Sequence, residues 1–178
     1  MEVEVKFAVE NPDEIERIVE EMAEFVIDKE EYDLYFNHPC RDFAETDEAL
    51  RVRRDVEGVT LTYKGRKVDP ETKTREEIKV RLDDFDRMVA ILGKLGFRVA
   101  GEVRKRRKIY RDGSIVICID RLEGIGSFVE LEIESDDVEG AKERLFEYAE
   151  KLGLSREKSI RTSYLEMVLN VADSDGKG

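Results

Sequence analysis

Met1-Glu2-Val3-Glu4-Val5-Lys6-Phe7 opens the chain, and its reading decides the fold. Charged and apolar residues alternate strictly, which is the period of a β-strand and not of a helix. Glu2, Glu4 and Lys6 therefore project from one face, and Val3, Val5 and Phe7 from the other. The two carboxylates stand about 7 Å apart on that face, from a rise of roughly 3.3 Å per residue. Taken alone, such a strand would simply turn its charges to water. The pattern returns late in the chain, however, where Glu130, Glu132 and Glu134 alternate with Val129, Leu131 and Ile133. Basic versions lie between the two. Arg51 and Arg53 oppose Leu50 and Val52, Lys64 shares a face with Thr62 against Leu61 and Tyr63, and Arg75, Glu77 and Lys79 oppose Ile78 and Val80.

Helix signals punctuate these strands. Asn11-Pro12-Asp13-Glu14 combines a capping Asn, Pro at the first position and acids in the first turn. The stripe Ile15, Ile18, Val19 and Met22 follows, in a helix expected to reach about Phe25. Asp83 or Asp84 begins a second helix striped by Phe85, Met88, Val89 and Leu92, and Asp136-Asp137 a third striped by Val138, Ala141, Leu145 and Leu152. A short helix is expected near 164–169. Three times, at 2–25, 75–95 and 130–152, an alternating strand runs into a capped helix, a weak strand-then-helix repeat. The other strands fall at 31–37, 99–110 and 114–120, and Glu57-Gly58 reads as a hairpin turn between 49–54 and 59–64.

Each helix has an apolar stripe that needs a partner, and the apolar strand faces are the large surface available. If helices cover those faces, the charged faces must turn toward one another. The expectation is an α+β fold: an eight-stranded antiparallel closed barrel, a tunnel with a charged interior, flanked by helices. One domain is expected over 1–170, with a disordered tail at 171–178.

The composition narrows the chemistry. Hydrophobic residues make up 40% of the 178, enough for a folded core, while charged residues reach 42%, far above the usual quarter. Such charge fits a heat-adapted surface of ion pairs as well as charges at work inside. The net charge of −12 argues against a general nucleic-acid or membrane-surface binder. Yet Arg51, Arg53 and Arg54, then Lys64, Arg66 and Lys67, then Arg104 through Lys108 form basic blocks in an acidic protein. A single His38 and two unlinked cysteines, Cys40 and Cys118, remove zinc sites and histidine triads. A metal would have to be held by carboxylates, which points to Mg²⁺, Mn²⁺ or Ca²⁺. No apolar run nears 18 residues, so a soluble, cytoplasmic protein is expected.

An interior lined by Glu2, Glu4, Glu77, Glu130 and Glu132 beside Lys6, Arg51, Arg53, Lys64, Arg75, Lys105 and Arg107 costs hydration. Buried ion pairs are a poor way to gain stability, since apolar replacements do as well or better. A ligand that needs both signs explains the arrangement: a polyanion carrying divalent cations. Arginine forks and lysines would hold phosphate oxygens, and the carboxylates would hold Mg²⁺ or Mn²⁺. A nucleoside triphosphate or inorganic polyphosphate fits, bound by side chains, because no Walker-type loop is present.

These residues resemble the CYTH domain of the triphosphate tunnel metalloenzymes over nearly the whole chain. The signature E-x-E-x-K is Glu2, Glu4 and Lys6. Asp33, Tyr35 and Phe36 match its Asp-x-Tyr-Phe strand, Arg51 and Arg53 its Leu-Arg-x-Arg strand, Lys64 its Tyr-Lys-Gly strand, and Arg75 with Glu77 its Arg-x-Glu strand. Lys105 and Arg107 match a Lys-x-Arg pair, Asp120 an acidic strand end, and Glu130 with Glu132 the final E-x-E. The stretches 41–51 and 119–130 are most similar to the class IV adenylyl cyclase (CyaB-type) branch.

The resemblance implies that Lys6, Arg51, Arg53, Lys64, Arg75, Lys105 and Arg107 bind the triphosphate, and that Glu2, Glu4, Asp120, Glu130 and Glu132 hold Mg²⁺ or Mn²⁺. Glu2, Glu4, Lys6, Glu130 and Glu132 would be the catalytic set. The activity implied is conversion of ATP to cyclic AMP and pyrophosphate. Hydrolysis of ATP, thiamine triphosphate or tripolyphosphate, and a non-catalytic polyphosphate- or nucleotide-binding module, stay open beside it. A homodimer is a guess from the resemblance alone. Tyr35, Phe36 and the 39–47 loop are candidates for recognising a base or ring. The odd-numbered face of 103–109 mixes Val103 and Ile109 with Lys105 and Arg107, which predicts a bulge or a solvent-exposed stretch there.

Overall fold

The computed structural model describes residues 1–176. Its strands are β1 (Glu2–Val9), β2 (Glu24–Asn37), β3 (Ala49–Asp55), β4 (Gly58–Lys64), β5 (Glu77–Leu82), β6 (Arg98–Asp112), β7 (Ile115–Leu122) and β8 (Gly126–Glu134). The helices are α1 (Pro12–Met22), α2 (Phe43–Thr46), α3 (Phe85–Lys94), α4 (Val138–Lys151) and α5 (Tyr164–Asp175). The strands form one sheet in the order β1-β8-β7-β6-β2-β3-β4-β5, and the ladders β1–β8, β7–β8, β6–β7, β2–β3, β3–β4 and β4–β5 are antiparallel. The α+β, eight-stranded antiparallel fold is as expected, but full closure is not. The hydrogen-bonded order has two ends, β1 and β5. Residues 65–76 leave the ladder as a strap, which meets β1 at the isolated bridge Glu2↔Arg75 and through the Lys73 N–H, donated to the Glu4 carbonyl.

The residues fall into two compact units, 1–29 with 67–75 and 105–161, and 30–66 with 76–104 and 162 onward. In the first, α1 and α4 cover the apolar faces of β1, β7 and β8. Val3, Val5, Phe7, Ile117, Ile119, Leu131 and Ile133 pack with Val19, Leu145, Phe146 and Leu152. In the second, α3 covers β2, β3 and β4, with Leu34, Phe36, Leu50 and Val52 against Leu92 and, more shallowly, Met88 and Val89. Within each unit the helices thus take apolar strand faces and leave the charged faces opposite, except on β5, whose Ile78 and Val80 are exposed.

The helix starts follow the sequence signals. The side chains of Asn11, Asp84 and Asp137 accept from the backbone N–H groups of Glu14, Arg87 and Gly140 at 3.3, 2.9 and 3.0 Å. The ends differ more. α1 stops at Met22 because Ala23 turns extended, its N–H donating to the Val19 carbonyl. β2 therefore begins at Glu24 and not at 31. Three successive apolar residues, Phe25-Val26-Ile27, hide the alternation there.

Of the bulge or solvent-exposed stretch expected in β6, no bulge falls between Arg106 and Asp112, where the register with β7 runs unbroken from Arg106↔Arg121 to Asp112↔Ile115. Val103, Lys105 and Arg107 share the charged face, and the even-numbered bases find acids on the other. Arg106 is held by Asp28 at 3.0 and 2.7 Å, and Lys108 by Glu16. α5 runs on past Leu169 to Asp175, with a Ser163–Glu166 capping box at its start; residues 177–178 of the expected tail lie outside the described residues. No helix among the described residues is long and apolar enough to cross a membrane.

Candidate active site

In the first unit the β1–β8 register sets the chemistry. Glu4 stands opposite Glu132, Glu2 opposite Glu134, and Lys6 opposite Glu130. Like charges directly across a ladder repel, so two of these three pairs work against the sheet. Carboxylate oxygens of Glu2, Glu4 and Glu132 lie within 4.8 Å of one another. Burial, and then the charges of Glu2 and Glu4, push the Glu132 carboxyl well above the usual carboxylate range. A hard divalent cation would relieve this crowding, because it takes oxygen ligands and supplies the missing positive charge. The residues fit such an ion, with Glu2, Glu4 and Glu132 as its holders.

The bases on this face are committed to acids. The fully buried Lys6 ammonium lies 3.1 Å from Glu130 Oε1. Burial first, and then the neighbouring Lys73 ammonium, lower its pKa to about 7. Arg107 grips Asp120 with Nε and one terminal nitrogen, both at 2.6 Å, and that terminal nitrogen also donates to Glu130 Oε2 at 2.6 Å. Burial opposes the Glu130 charge, but Lys6, Lys73 and Arg107 outweigh it and hold the carboxyl well below its usual range. Asp120 is thereby joined to Arg107, and the three clustered carboxylates include neither it nor Glu130. Lys105 and Arg75 are buried in the same unit.

In the second unit, Arg51 and Arg53 project from β3, and Lys64 ends β4. Asp33, directly across the ladder, takes Arg53 in a fork at 2.6 and 2.7 Å, and Glu31 adds a contact at 3.0 Å. Glu77 pairs with Lys64. Arg51 is different. It is buried, its one long contact is to Thr62 at 3.5 Å, and its Nε has no hydrogen-bond partner. Tyr35 lies opposite Arg51 and is half-buried. Phe36 instead points into the helix-covered core, and Phe43 of the 39–47 loop is buried with it.

Sequence reasoning missed Lys73. It sits in the strap, where no periodicity marks it, and its ammonium reaches 2.5 Å from Glu4 Oε1 and 3.6 Å from Glu130 Oε1. Burial disfavours that charge, but Glu4 and Glu130 overcome the penalty and raise its pKa. The acids Asp33 and Glu31, which orient Arg53, were equally hard to assign, because register is needed to see which base each opposes. Cys118, which reads as part of an apolar run, stands across the ladder from Glu130. Its parity places it on the charged face, and burial pushes its thiol well above the usual range.

Comparison with known proteins agrees with this geometry. The chain is 39% identical over 171 residues to the Methanocaldococcus jannaschii protein MJ0240, whose name proposes an adenylate cyclase, covering 94% of this chain and 98% of the other. It is 34% identical over 142 residues to the adenylate cyclase CyaB of Aeromonas hydrophila, covering 77% and 71%. Among solved structures, the PH1819 protein of Pyrococcus horikoshii OT3 matches with a TM-score of 0.87 at 40% identity, covering 96% of this chain and 99% of that one. The CYTH domain model matches residues 1–164. With its charged strand faces, its clustered carboxylates and these relatives, the chain belongs to the CYTH domain family.

Proposed function

We propose that the protein is a divalent-metal-dependent enzyme acting on a triphosphate, and that its reaction is conversion of ATP to cyclic AMP and pyrophosphate. The observation that carries this reading is the Glu2–Glu4–Glu132 cluster, with oxygens inside 4.8 Å, on a face that also holds the buried bases Lys6, Lys105 and Arg107. Acids that repel one another beside bases that are already paired make sense for a ligand bringing both signs. The adenylate cyclase name of the Aeromonas relative supports the choice of reaction.

In this reading Lys6, Lys105, Arg107 and Arg75, and Arg51, Arg53 and Lys64 of the second unit, are the phosphate-binding residues. Glu2, Glu4 and Glu132 hold the ion, with Glu130 and Asp120 keeping Lys6 and Arg107 in place. A bound Mg²⁺ or Mn²⁺ would supply charge neutralisation at the phosphate oxygens. The chain's own bases contribute the same kind of stabilisation by positioned charge, so no covalent nucleophile is needed. The ribose 3′ oxygen bonds to the α-phosphorus as its proton passes to solvent water, and the bond from that phosphorus to the bridging oxygen breaks as pyrophosphate leaves.

Incubating the purified protein with Mg²⁺ or Mn²⁺ and ATP, thiamine triphosphate or tripolyphosphate separates the readings. Cyclic AMP with an equal amount of pyrophosphate is the expected result. Orthophosphate release without cyclic AMP would overturn cyclisation in favour of hydrolysis. Tight binding with no turnover of any of the three would make the protein a binding module.

A further inference from the structure

Lys73 is delivered to the acidic face by a strap that is tied down along its length. Its backbone N–H donates to the Glu4 carbonyl at 2.9 Å, and Arg75 and Glu2 exchange two backbone hydrogen bonds at 3.2 Å. Asp69 accepts from the N–H groups of Glu71 and Thr72 and from the Thr72 hydroxyl, which folds the strap on itself. Its other oxygen is held by Lys142 of α4 at 3.1 Å. Arg161 donates to the Thr72 carbonyl at 3.1 Å. A lysine on a loop ordinarily keeps its ammonium in water. Here the anchoring puts it against Glu4 and near Glu130, with the side chain 7% exposed.

Glu4 is therefore shared. It is the close partner of a cation built into the chain, and it is one of the three carboxylates clustered with Glu2 and Glu132. We propose that Lys73 is an internal counter-ion of the acidic site that competes with the divalent cation for Glu4. Without metal it neutralises Glu4 and helps hold Glu130. With metal, the ammonium and the ion face each other across one carboxylate, and their repulsion weakens metal binding until a phosphate oxygen draws the ammonium away. Metal and triphosphate then favour each other's binding, and an empty site takes up free metal poorly. This rests on the reading of Glu2, Glu4 and Glu132 as a divalent-cation site.

The test is Mn²⁺ titration of the full chain without triphosphate, followed by electron paramagnetic resonance of free Mn²⁺ and by calorimetry. Lys73→Gln keeps a donor for Glu4 and removes the charge, and should bind Mn²⁺ at least tenfold more tightly than the parent. Lys73→Arg keeps the charge and should bind like the parent. Asp69→Asn keeps the lysine at 73 but loosens the strap at Lys142, so that the ammonium is held less firmly against Glu4; it should tighten Mn²⁺ binding by a few-fold, and it carries the test if the Lys73 variants do not fold. Equal or weaker Mn²⁺ binding in Lys73→Gln, or in Asp69→Asn where that variant carries the test, overturns the competition and leaves the metal site standing. Absence of Mn²⁺ binding in every variant and in the parent overturns both.

Discussion

Replacing Arg107 by methionine should destabilise the protein by about 3–5 kcal/mol, the usual cost of removing one partner from a buried ion pair. The local geometry puts Arg107 in that class. Both Asp120 oxygens accept from it at 2.6 Å, Asp120 is wholly buried, and the nearly buried Glu130 accepts a further bond. Methionine fills much of the volume, so the loss is electrostatic: a wholly buried carboxylate gives up both bonds of its fork. Glu130 keeps Lys6 at 3.1 Å and Lys73 at 3.6 Å, so Asp120 bears most of the cost. An unfolding entropy of about 2.1 cal/mol/K per residue gives about 0.37 kcal/mol/K for the whole chain, so the midpoint should fall by about 8–13 °C. Thermal unfolding by circular dichroism at pH 7 measures it. The double variant Arg107→Met/Asp120→Leu removes the stranded charge as well and should recover most of the loss. A fall of less than about 3 °C in the single variant, or a double variant as unstable as the two singles added together, would refute the argument.

Three further outcomes are expected. Arg51→Met should change stability by no more than about 1 kcal/mol, because Nε has no partner to strand, whereas Arg53→Met should lose about 3 kcal/mol by taking away the fork that holds Asp33. Both should weaken tripolyphosphate binding roughly tenfold to a hundredfold in calorimetry, the worth of a charge-assisted hydrogen bond; stability losses of equal size would sink the distinction. Glu48, bonded by Thr46, Tyr63 and Arg41, has its pKa lowered from 4.5 to about 2. A depressed carboxyl stabilises the fold above its unfolded pKa, so this contribution is complete above pH 4.5 and fades toward pH 2. Glu48→Gln should therefore unfold earlier than the parent at pH 6 and together with it at pH 2, and a gap that is independent of pH contradicts the assignment. Leu145→Ala, at a fully buried position on α4, should cost about 3 kcal/mol in chemical denaturation through lost burial and a cavity; a loss under 1 kcal/mol would mean that the α4 contact is loose.

Alternation and capping are local properties, and they determined much of this protein. The charged and apolar faces of β1, β3, β4 and β8, the starts of α1, α3 and α4, and the need for helices to cover the apolar faces all follow from neighbouring residues. The E-x-E-x-K opening therefore pointed to an acidic wall before any contact was known. Where local signals overlap, the sequence was silent. Phe25-Val26-Ile27 concealed the first half of β2, and mixed parity suggested a bulge or an exposed stretch in β6, where the register from Arg106 to Asp112 runs unbroken.

Only the tertiary structure decided partners, because a partner depends on register between distant strands. It set Glu4 across from Glu132, so that like charges crowd at one point, and it joined Asp120 to Arg107 and Asp33 to Arg53. It left Arg51 without a partner for its Nε. It also brought Lys73 from a strap with no periodicity to 2.5 Å from Glu4, 69 residues away in the chain. Sequence assigned charges to a face; folding chose which of them meet, since electrostatic energy depends on separations of a few ångströms that the chain order does not contain.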